Sequence, residues 1–258
     1  MNFTFHSTEE TLDTILEIIS KKEKGVYLRL GDGDITLGSG VSELYQDANT
    51  ALSYLMKDAI NLRGKNVIKT LPLHNKEWDT LEEGMFPGNH ESDAEWCENI
   101  IQQFLNISDV SETEFYSTVA LSHQAVQNPN NAIKFLKQIR PEVKYFIGNE
   151  NIPKNILNIL FGENVVHIKT PSRNSFSKFD QIYTTFIEKV ADDKDYSVVV
   201  TSMGCTGRAM QKKIWDRYDN FFLFDFGSLM DALCGFNTRA WIELTDFNAE
   251  EFLENLNK

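Results

Sequence analysis

The second half of the chain alternates short apolar runs with amphipathic segments, and this alternation limits the fold more than any other feature. "YSVVVTSMG" (196–204) holds an unbroken β-branched run from Val198 to Thr201. "VKYFIGN" (143–149), "NVVHIKTP" (164–171) and "FFLFDFG" (221–227) are runs of the same kind. The segments between them, "IPKNILNILF", "KFDQIYTTFIEKVA" and "GRAMQKKIWDRY", repeat apolar residues at helical spacing. In the second of these, Phe179, Ile182, Phe186 and Val190 share one face. Apolar strands that each lead into a helix predict a mainly parallel sheet with helices on both faces. The first half fits the same scheme. A helix is expected over Ser7–Lys24, where Ser7 and Glu10 have capping-box spacing. Strands follow at "VYLRL", "NVIKTLPL" and "EFYSTVAL", and helices at "ANTALSYLMKDAINL", "AEWCENIIQQFLNI" and "NNAIKFLKQI". No repeat, low-complexity tract or linker divides the chain. The reading is one Rossmann-like α/β domain over residues 1–258, with a loop or flap insertion at about 73–93.

Charge narrows the function. The formal net charge is −13, which opposes binding to nucleic acid or an anionic membrane. A small phosphate-bearing ligand stays admissible, provided positive charge or backbone N–H groups gather where it sits. No apolar run reaches the roughly 18 residues of a membrane span. The opening residues lack the basic and apolar stretches of a secretion signal. The expectation is a cytoplasmic protein with no transmembrane segment, with peripheral attachment at the inner membrane face and homo-oligomerisation left open. Cys97, Cys205 and Cys234 form neither a zinc pattern nor a disulfide framework and read as reduced thiols.

In open α/β sheets, ligands gather at the carboxyl ends of the strands. Three polar turns fall there. "RLGDGD" places Asp32 and Asp34 one residue apart, a hard-oxygen pair suited to Mg²⁺ or Mn²⁺. Arg29 on the same strand either pairs with one of those carboxylates or reaches a ligand phosphate. "TPSRNSFSKFD" offers Ser172, Arg173, Asn174 and Lys178 around a helix start, where phosphate binding competes with simple N-capping. "TSMGCTGRAM" sets Ser202, Gly204 and Thr206 at the join of the strongest strand and a helix, where the backbone can approach a ligand. In the flap, His74, His90, Glu91 and Asp93 are metal ligands or solvated loop residues. Trp78, Phe86 and Trp96 either stack on sugar rings or form a local core. Cys205 reads as a packing residue.

Taken together, these segments resemble the GT-D-fold glycosyltransferases. Arg29-Leu30-Gly31-Asp32-Gly33-Asp34 is similar to that family's Arg-Phe-Gly-Asp-Gly-Glu. Pro171-Ser172-Arg173-Asn174-Ser175-Phe176-Ser177-Lys178-Phe179-Asp180 is similar to Pro-Ser-Lys-Asn-Ala-Phe-x-Lys-Tyr-Asp. "SMGCTGRAM" followed by Asp225-Phe226-Gly227 stands in the place of Gly-Pro-Thr-Ala and Asp-Ile-Gly. The order is kept from about residue 8 to residue 235. The resemblance implies a Rossmann-like fold and transfer of a sugar from a nucleotide donor, usually a UDP-hexose. The acceptor it implies is a glycan, glycolipid or glycoprotein, in surface-polysaccharide or glycoprotein-glycan assembly.

It also implies that Asp32 and Asp34 hold Mn²⁺ or Mg²⁺ against the donor diphosphate, with Arg29, Gly31, Ser172, Arg173, Asn174, Lys178, Ser202, Gly204 and Thr206 around the nucleotide sugar. Asp34 stands where the family has Glu. The Pro of the third segment is absent, and Ser228 replaces a usual His. An inverting transfer needs a general base. Glu150, Asp225 and His123 all sit at predicted strand ends, and the sequence does not choose among them. Two other functions compete: a metal-dependent phosphotransferase or phosphohydrolase, and a nucleotide-sugar-binding subunit without turnover.

Overall fold

The computed structural model describes residues 4–73, 93–109, 111 and 113–258. The flap, with His74, Trp78, Phe86, His90 and Glu91, lies outside the described residues.

Eight strands form one sheet: β1 (Thr4–Phe5), β2 (Gly25–Leu28), β3 (Val67–Leu71), β4 (Glu114–Ser117), β5 (Val143–Asn149), β6 (Val166–Thr170), β7 (Ser197–Ser202) and β8 (Phe221–Asp225). Their order is β1-β4-β3-β2-β8-β7-β5-β6, and every neighbouring pair is parallel. The helices of the first half are α1 (Thr8–Ser20), α2 (Asp32–Gly38), α3 (Thr50–Ile60), α4 (Asp93–Ile107), α5 (Ala120–Gln127) and α6 (Pro129–Ile139). Those of the second half are α7 (Lys154–Phe161), α8 (Phe179–Val190), α9 (Thr206–Trp215), α10 (Leu229–Leu233), α11 (Ala240–Leu244) and α12 (Ala249–Asn257).

Period-two alternation along the strands divides the apolar core in two. Tyr27, Phe146, Val198, Val200, Phe222 and Phe224 point to one face, where they meet Ile15 of α1, Phe135 of α6, Leu157 of α7 and Phe252 of α12. Val26, Leu28, Tyr145, Ile147, Val199 and Leu223 point to the other, against Ile35 of α2, Met56 of α3, Phe104 of α4, Phe186 of α8 and Met210 of α9. Helices therefore cover both faces, as the continuous apolar strands require. The α1 capping box forms: Glu10 N–H donates to Ser7 Oγ at 3.1 Å, and Ser7 N–H donates to Glu10 Oε2 at 2.8 Å. No helix among the described residues is long and apolar enough to cross a membrane.

Three local expectations change. "VYLRL" ends as a strand at Leu28, and "GDGD" opens helix α2 instead of making a free turn. The cause is Asp34 at the third helical position. Its Oδ2 accepts the Gly31 N–H at 2.7 Å and holds the helix start closed. "EFYSTVAL" is a strand only to Ser117. Thr118 turns away, its hydroxyl donating to Leu30 O at 2.9 Å, and α5 begins at Ala120. Helices α10 to α12 form beyond the last strand read from the sequence, and Trp241 and Phe252 bury against the first core.

Candidate active site

The strand order reverses beside β2. From β2 the chain builds outward through β3 and β4, yet β2's other neighbour is β8, the last strand. A second reversal lies at β5, which has β6 on one side and β7 on the other, and a reversal of this kind splays the loops at the carboxyl ends and opens a crevice. Here a cleft of about 450 Å³ lies among the loops after β5, β6 and β7, closed on one side by residues 43–46 and on another by residues 231–239.

Beside the cleft, at the ends of β2 and β8, lies a chain of alternating charges. Arg29 Nε donates to Asp225 Oδ1 at 2.8 Å, and Arg29 Nη1 donates to Thr118 O at 3.0 Å. Arg208 Nη1 donates to Asp225 Oδ2 at 2.7 Å, and Arg208 Nε donates to Arg29 O at 2.7 Å. Asp34 Oδ1 lies 3.3 Å from Arg208 Nε. Asp34, Arg208 and Asp225 are 1%, 2% and 2% exposed, so these charges are held in place by one another. Burial raises the Asp34 carboxyl above the usual carboxylate range, while the Arg208 charge and the Gly31 N–H pull it back. Burial also opposes the charge on Arg208, but Asp225 and Asp34 outweigh it and raise its pKa. Gly227 has φ +69°, and a Cβ there would meet the Arg29 guanidinium carbon at 2.9 Å. Glycine at that position is what lets Arg29 lie flat against the backbone. The Cys205 thiol is raised well above its ordinary range by burial and by the nearby Asp34 carboxylate, which suits a packing residue and not a nucleophile.

This geometry bears on the metal expected between Asp32 and Asp34. Asp34 Oδ2 is committed to Gly31, and Oδ1 has no accessible surface and faces a guanidinium. Asp32 is exposed at the first position of α2. A cation held by both would have to separate Asp34 from Arg208. Among the described residues, no group of three or more His, Cys, Asp or Glu side chains is placed to hold a metal ion. The pair as arranged does not fit a shared Mn²⁺ or Mg²⁺.

The cleft wall is built by the segment 42–48, which crosses from α2 to the other half of the sheet. Tyr45 O accepts the Asn174 N–H at 2.9 Å. Asp47 N–H donates to Asn174 Oδ1 at 2.8 Å, and Asn174 Nδ2 returns a bond to Asp47 Oδ2 at 2.9 Å. Gln46, 6% exposed, accepts through Oε1 from Phe176 N–H at 3.2 Å and from the Thr206 hydroxyl at 3.1 Å. The Tyr45 hydroxyl donates to Thr238 O at 3.0 Å. The guanidiniums of Arg173 and Arg239 both pack on the Tyr45 ring, 5.5 Å and 4.9 Å from its centroid.

The expected site residues therefore separate. Ser172, Arg173, Asn174, Ser202 and Gly204 line the cleft. Gly204 has φ +61° with open space where a Cβ would stand. Asn174 lines it too, but its amide is engaged with Asp47. Arg29, Gly31, Asp34, Thr206 and Asp225 belong to the framework beside the cleft, and Asp32 and Lys178 are exposed away from its lining. Glu150 is exposed next to two lining residues, Asn149 and Asn151. His123 is buried, with Nδ1 3.1 Å from the Thr8 hydroxyl, and burial pushes its pKa down to about 4. It is not part of the cleft. Sequence reasoning missed Tyr45, Gln46, Arg208, Asp231 and Arg239. Arg208 left a signal, a charge on the buried face of "GRAMQKKIW"; the others left none.

The family model described as "Glycosyltransferase GT-D fold" matches residues 27–232. The chain belongs to the GT-D-fold glycosyltransferases. The GT-D match runs from β2 into α10, so it spans the whole charge network and most of the cleft wall, and it stops short of Thr238 and Arg239. Two solved structures share the fold. One is described as "A New Glycosyltransferase (DUF1792) from Streptococcus sanguinis"; it is 18% identical, covers 99% of this chain and 98% of its own, and has a TM-score of 0.65. Another is described as "The highly conserved domain of unknown function 1792 has a distinct glycosyltransferase fold"; it is 18% identical, covers 86% of this chain and 77% of its own, and has a TM-score of 0.62. No curated protein sequence matches the chain.

Proposed function

We propose that this GT-D protein moves a hexose from a nucleotide-sugar donor, a UDP-hexose, to a glycan acceptor in surface-polysaccharide or glycoprotein-glycan assembly. The observation that carries the reading is the cleft at the carboxyl ends of β5, β6 and β7, whose wall places Arg173 and Arg239 in a chain of net charge −13. The donor lies with its phosphates toward those arginines and the Gly204 backbone, and with its sugar or base near Ser172 and Ser202. Leaving of the diphosphate builds negative charge, and donors already aimed at that position lower the barrier.

An inverting transfer also needs a general base to take the acceptor proton. Both oxygens of Asp225 are held by arginines, so its role here is to position Arg29 and Arg208. Asp231 lines the cleft instead. One of its oxygens accepts the Thr238 hydroxyl at 2.6 Å, and burial raises its pKa toward the range a base requires. Asp231 is our assignment for the base, with Glu150 at the rim as the other carboxylate in reach.

The test is thermal stability against a panel of nucleotide sugars, followed by product analysis. A donor present at a hundredfold its Kd stabilises the fold by about 2.7 kcal/mol. Stabilisation by one nucleotide sugar, with release of its nucleoside diphosphate when a glycan acceptor is added, is the expected result. Turnover of simple phosphate esters with no nucleotide sugar bound would replace this reading with a phosphotransferase.

A further inference from the structure

The geometry points to a two-arginine clamp, Arg173 and Arg239 seated on Tyr45, that binds the diphosphate of the donor without a metal ion bridging Asp32 and Asp34. This rests on the donor reading above and adds the chemical means of recognition. Three observations carry it.

The first is where the carboxylates are. Asp34 is 1% exposed and faces Arg208, so removing it to ligate a cation would leave the buried Arg208 charge short of a partner. Asp32 alone offers one exposed carboxylate. The protein's own structure thus works against the metal that an Asp-x-Asp pair suggests.

The second is what replaces it. Arg173 and Arg239 come from loops 66 positions apart in sequence and meet on one ring, 5.5 Å and 4.9 Å from the Tyr45 centroid. Arg239 Nη1 also donates to Thr238 O at 3.0 Å; contact with the ring leaves the remaining N–H groups of each guanidinium fork to a ligand. Two such forks match the several anionic oxygens of a diphosphate, and arginine is suited to phosphate because its donors are planar and bidentate. Both side chains are exposed, and both line the cleft.

The third is how the ring is fixed. The Tyr45 hydroxyl is bonded to Thr238 O, beside Arg239, and the Tyr45 carbonyl to Asn174 N–H, beside Arg173. One residue therefore sets the position of both arginines from both of their loops. Tyr45 and Asn174 are positioning residues, and the arginines are the binding groups.

The experiment is calorimetric titration of the full chain with uridine diphosphate and with inorganic pyrophosphate, in EDTA and then in Mn²⁺. Uridine diphosphate binding in EDTA is expected, with affinity in Mn²⁺ within a fewfold of it. Arg239→Ala and Arg173→Ala should each weaken it at least tenfold, Arg239→Lys should recover only part, and Tyr45→Phe should fall between wild type and the alanine variants. Because both arginines are exposed, the melting temperatures of these variants should match wild type, which separates lost binding from lost folding. Binding that appears only with Mn²⁺, or that survives Arg239→Ala, would overturn the clamp and leave the donor reading standing. Absence of binding by uridine, guanosine, adenosine and cytidine diphosphates, with and without Mn²⁺, would overturn both.

Discussion

Arg208 and Arg239 flank the same cleft, one 2% exposed and the other on the surface. Arg208 donates to Asp225, Gly204 O and Arg29 O, and faces Asp34. Its charge is cancelled before any ligand arrives, and its effect is to hold the ends of β2 and β8 and the start of α2 in one arrangement. Arg239 has a backbone carbonyl and a ring for neighbours, Thr238 O at 3.0 Å and Tyr45. Among the described residues no carboxylate forms an ion pair with it, although its charge acts on Asp231, so it is open to pair with something that enters. The difference teaches that charge in a motif and charge for a ligand are separate quantities. The Asp-x-Asp segment is rich in the first, and the wall at residues 45 and 239 supplies the second.

The largest effect expected from this contrast is on stability. Arg208→Met removes one member of a buried network; it leaves Asp34 without its arginine and Asp225 Oδ2 without a donor, with Arg29 still on Oδ1. A loss of about 3–5 kcal/mol is expected in urea unfolding; a change below about 1 kcal/mol would show that the network is solvated and the contrast unfounded.

Acid should distinguish interior from rim next. The His123 pKa is about 4 in the folded chain, below the ordinary 6.5. A base depressed by folding contributes stability that is present above pH 6.5 and is lost as pH falls toward 4, on the order of 3 kcal/mol in all. His167 is lowered as well and adds in the same direction. Unfolding free energy measured across that window should fall, and His123→Gln should flatten the part due to His123.

A smaller effect is expected at Gln46, which joins the two regions. Gln46→Ala leaves the Phe176 N–H and the Thr206 hydroxyl without their acceptor, a cost of about 1–3 kcal/mol. Amide exchange at Phe176 should accelerate along with it. Smallest of all is Arg239→Ala, expected to change stability by no more than about 0.5 kcal/mol while it weakens diphosphate binding at least tenfold. A stability loss as large as that of Arg208→Met would erase the comparison.

The sheet was legible because unbroken β-branched runs such as Val198–Thr201 fit a strand covered on both faces, and because the helical repeat of Phe179 to Val190 needs a face to cover. The GT-D motifs were legible as well, in order and in spacing. What those residues do was less so. Asp34 looks like half of a metal pair because Gly-Asp-Gly-Asp reads as turn chemistry, yet it closes a helix start and turns toward an arginine 174 positions later in the chain. Its partner could be found only in three dimensions. "STVAL" reads as strand because Thr118 and Val119 are β-branched, and the turn there comes from hydrogen bonds to Leu30 and Ser117. Tyr45 and Arg239 belong to no motif, since a ring and a guanidinium 194 positions apart become a pair only when the two halves meet.

The segment 42–48 also sets a schedule. Tyr45 leaves the ribosome 193 residues ahead of Thr238, the carbonyl its hydroxyl needs. At about 5–20 residues per second, that separation is roughly 10–40 s of synthesis. For that interval the nascent chain carries one wall of its cleft with nothing to close against, and Val41 and Leu44, exposed even in the finished fold, sit beside it. A growing chain with this layout should depend on whatever shields its first half until the last loop arrives.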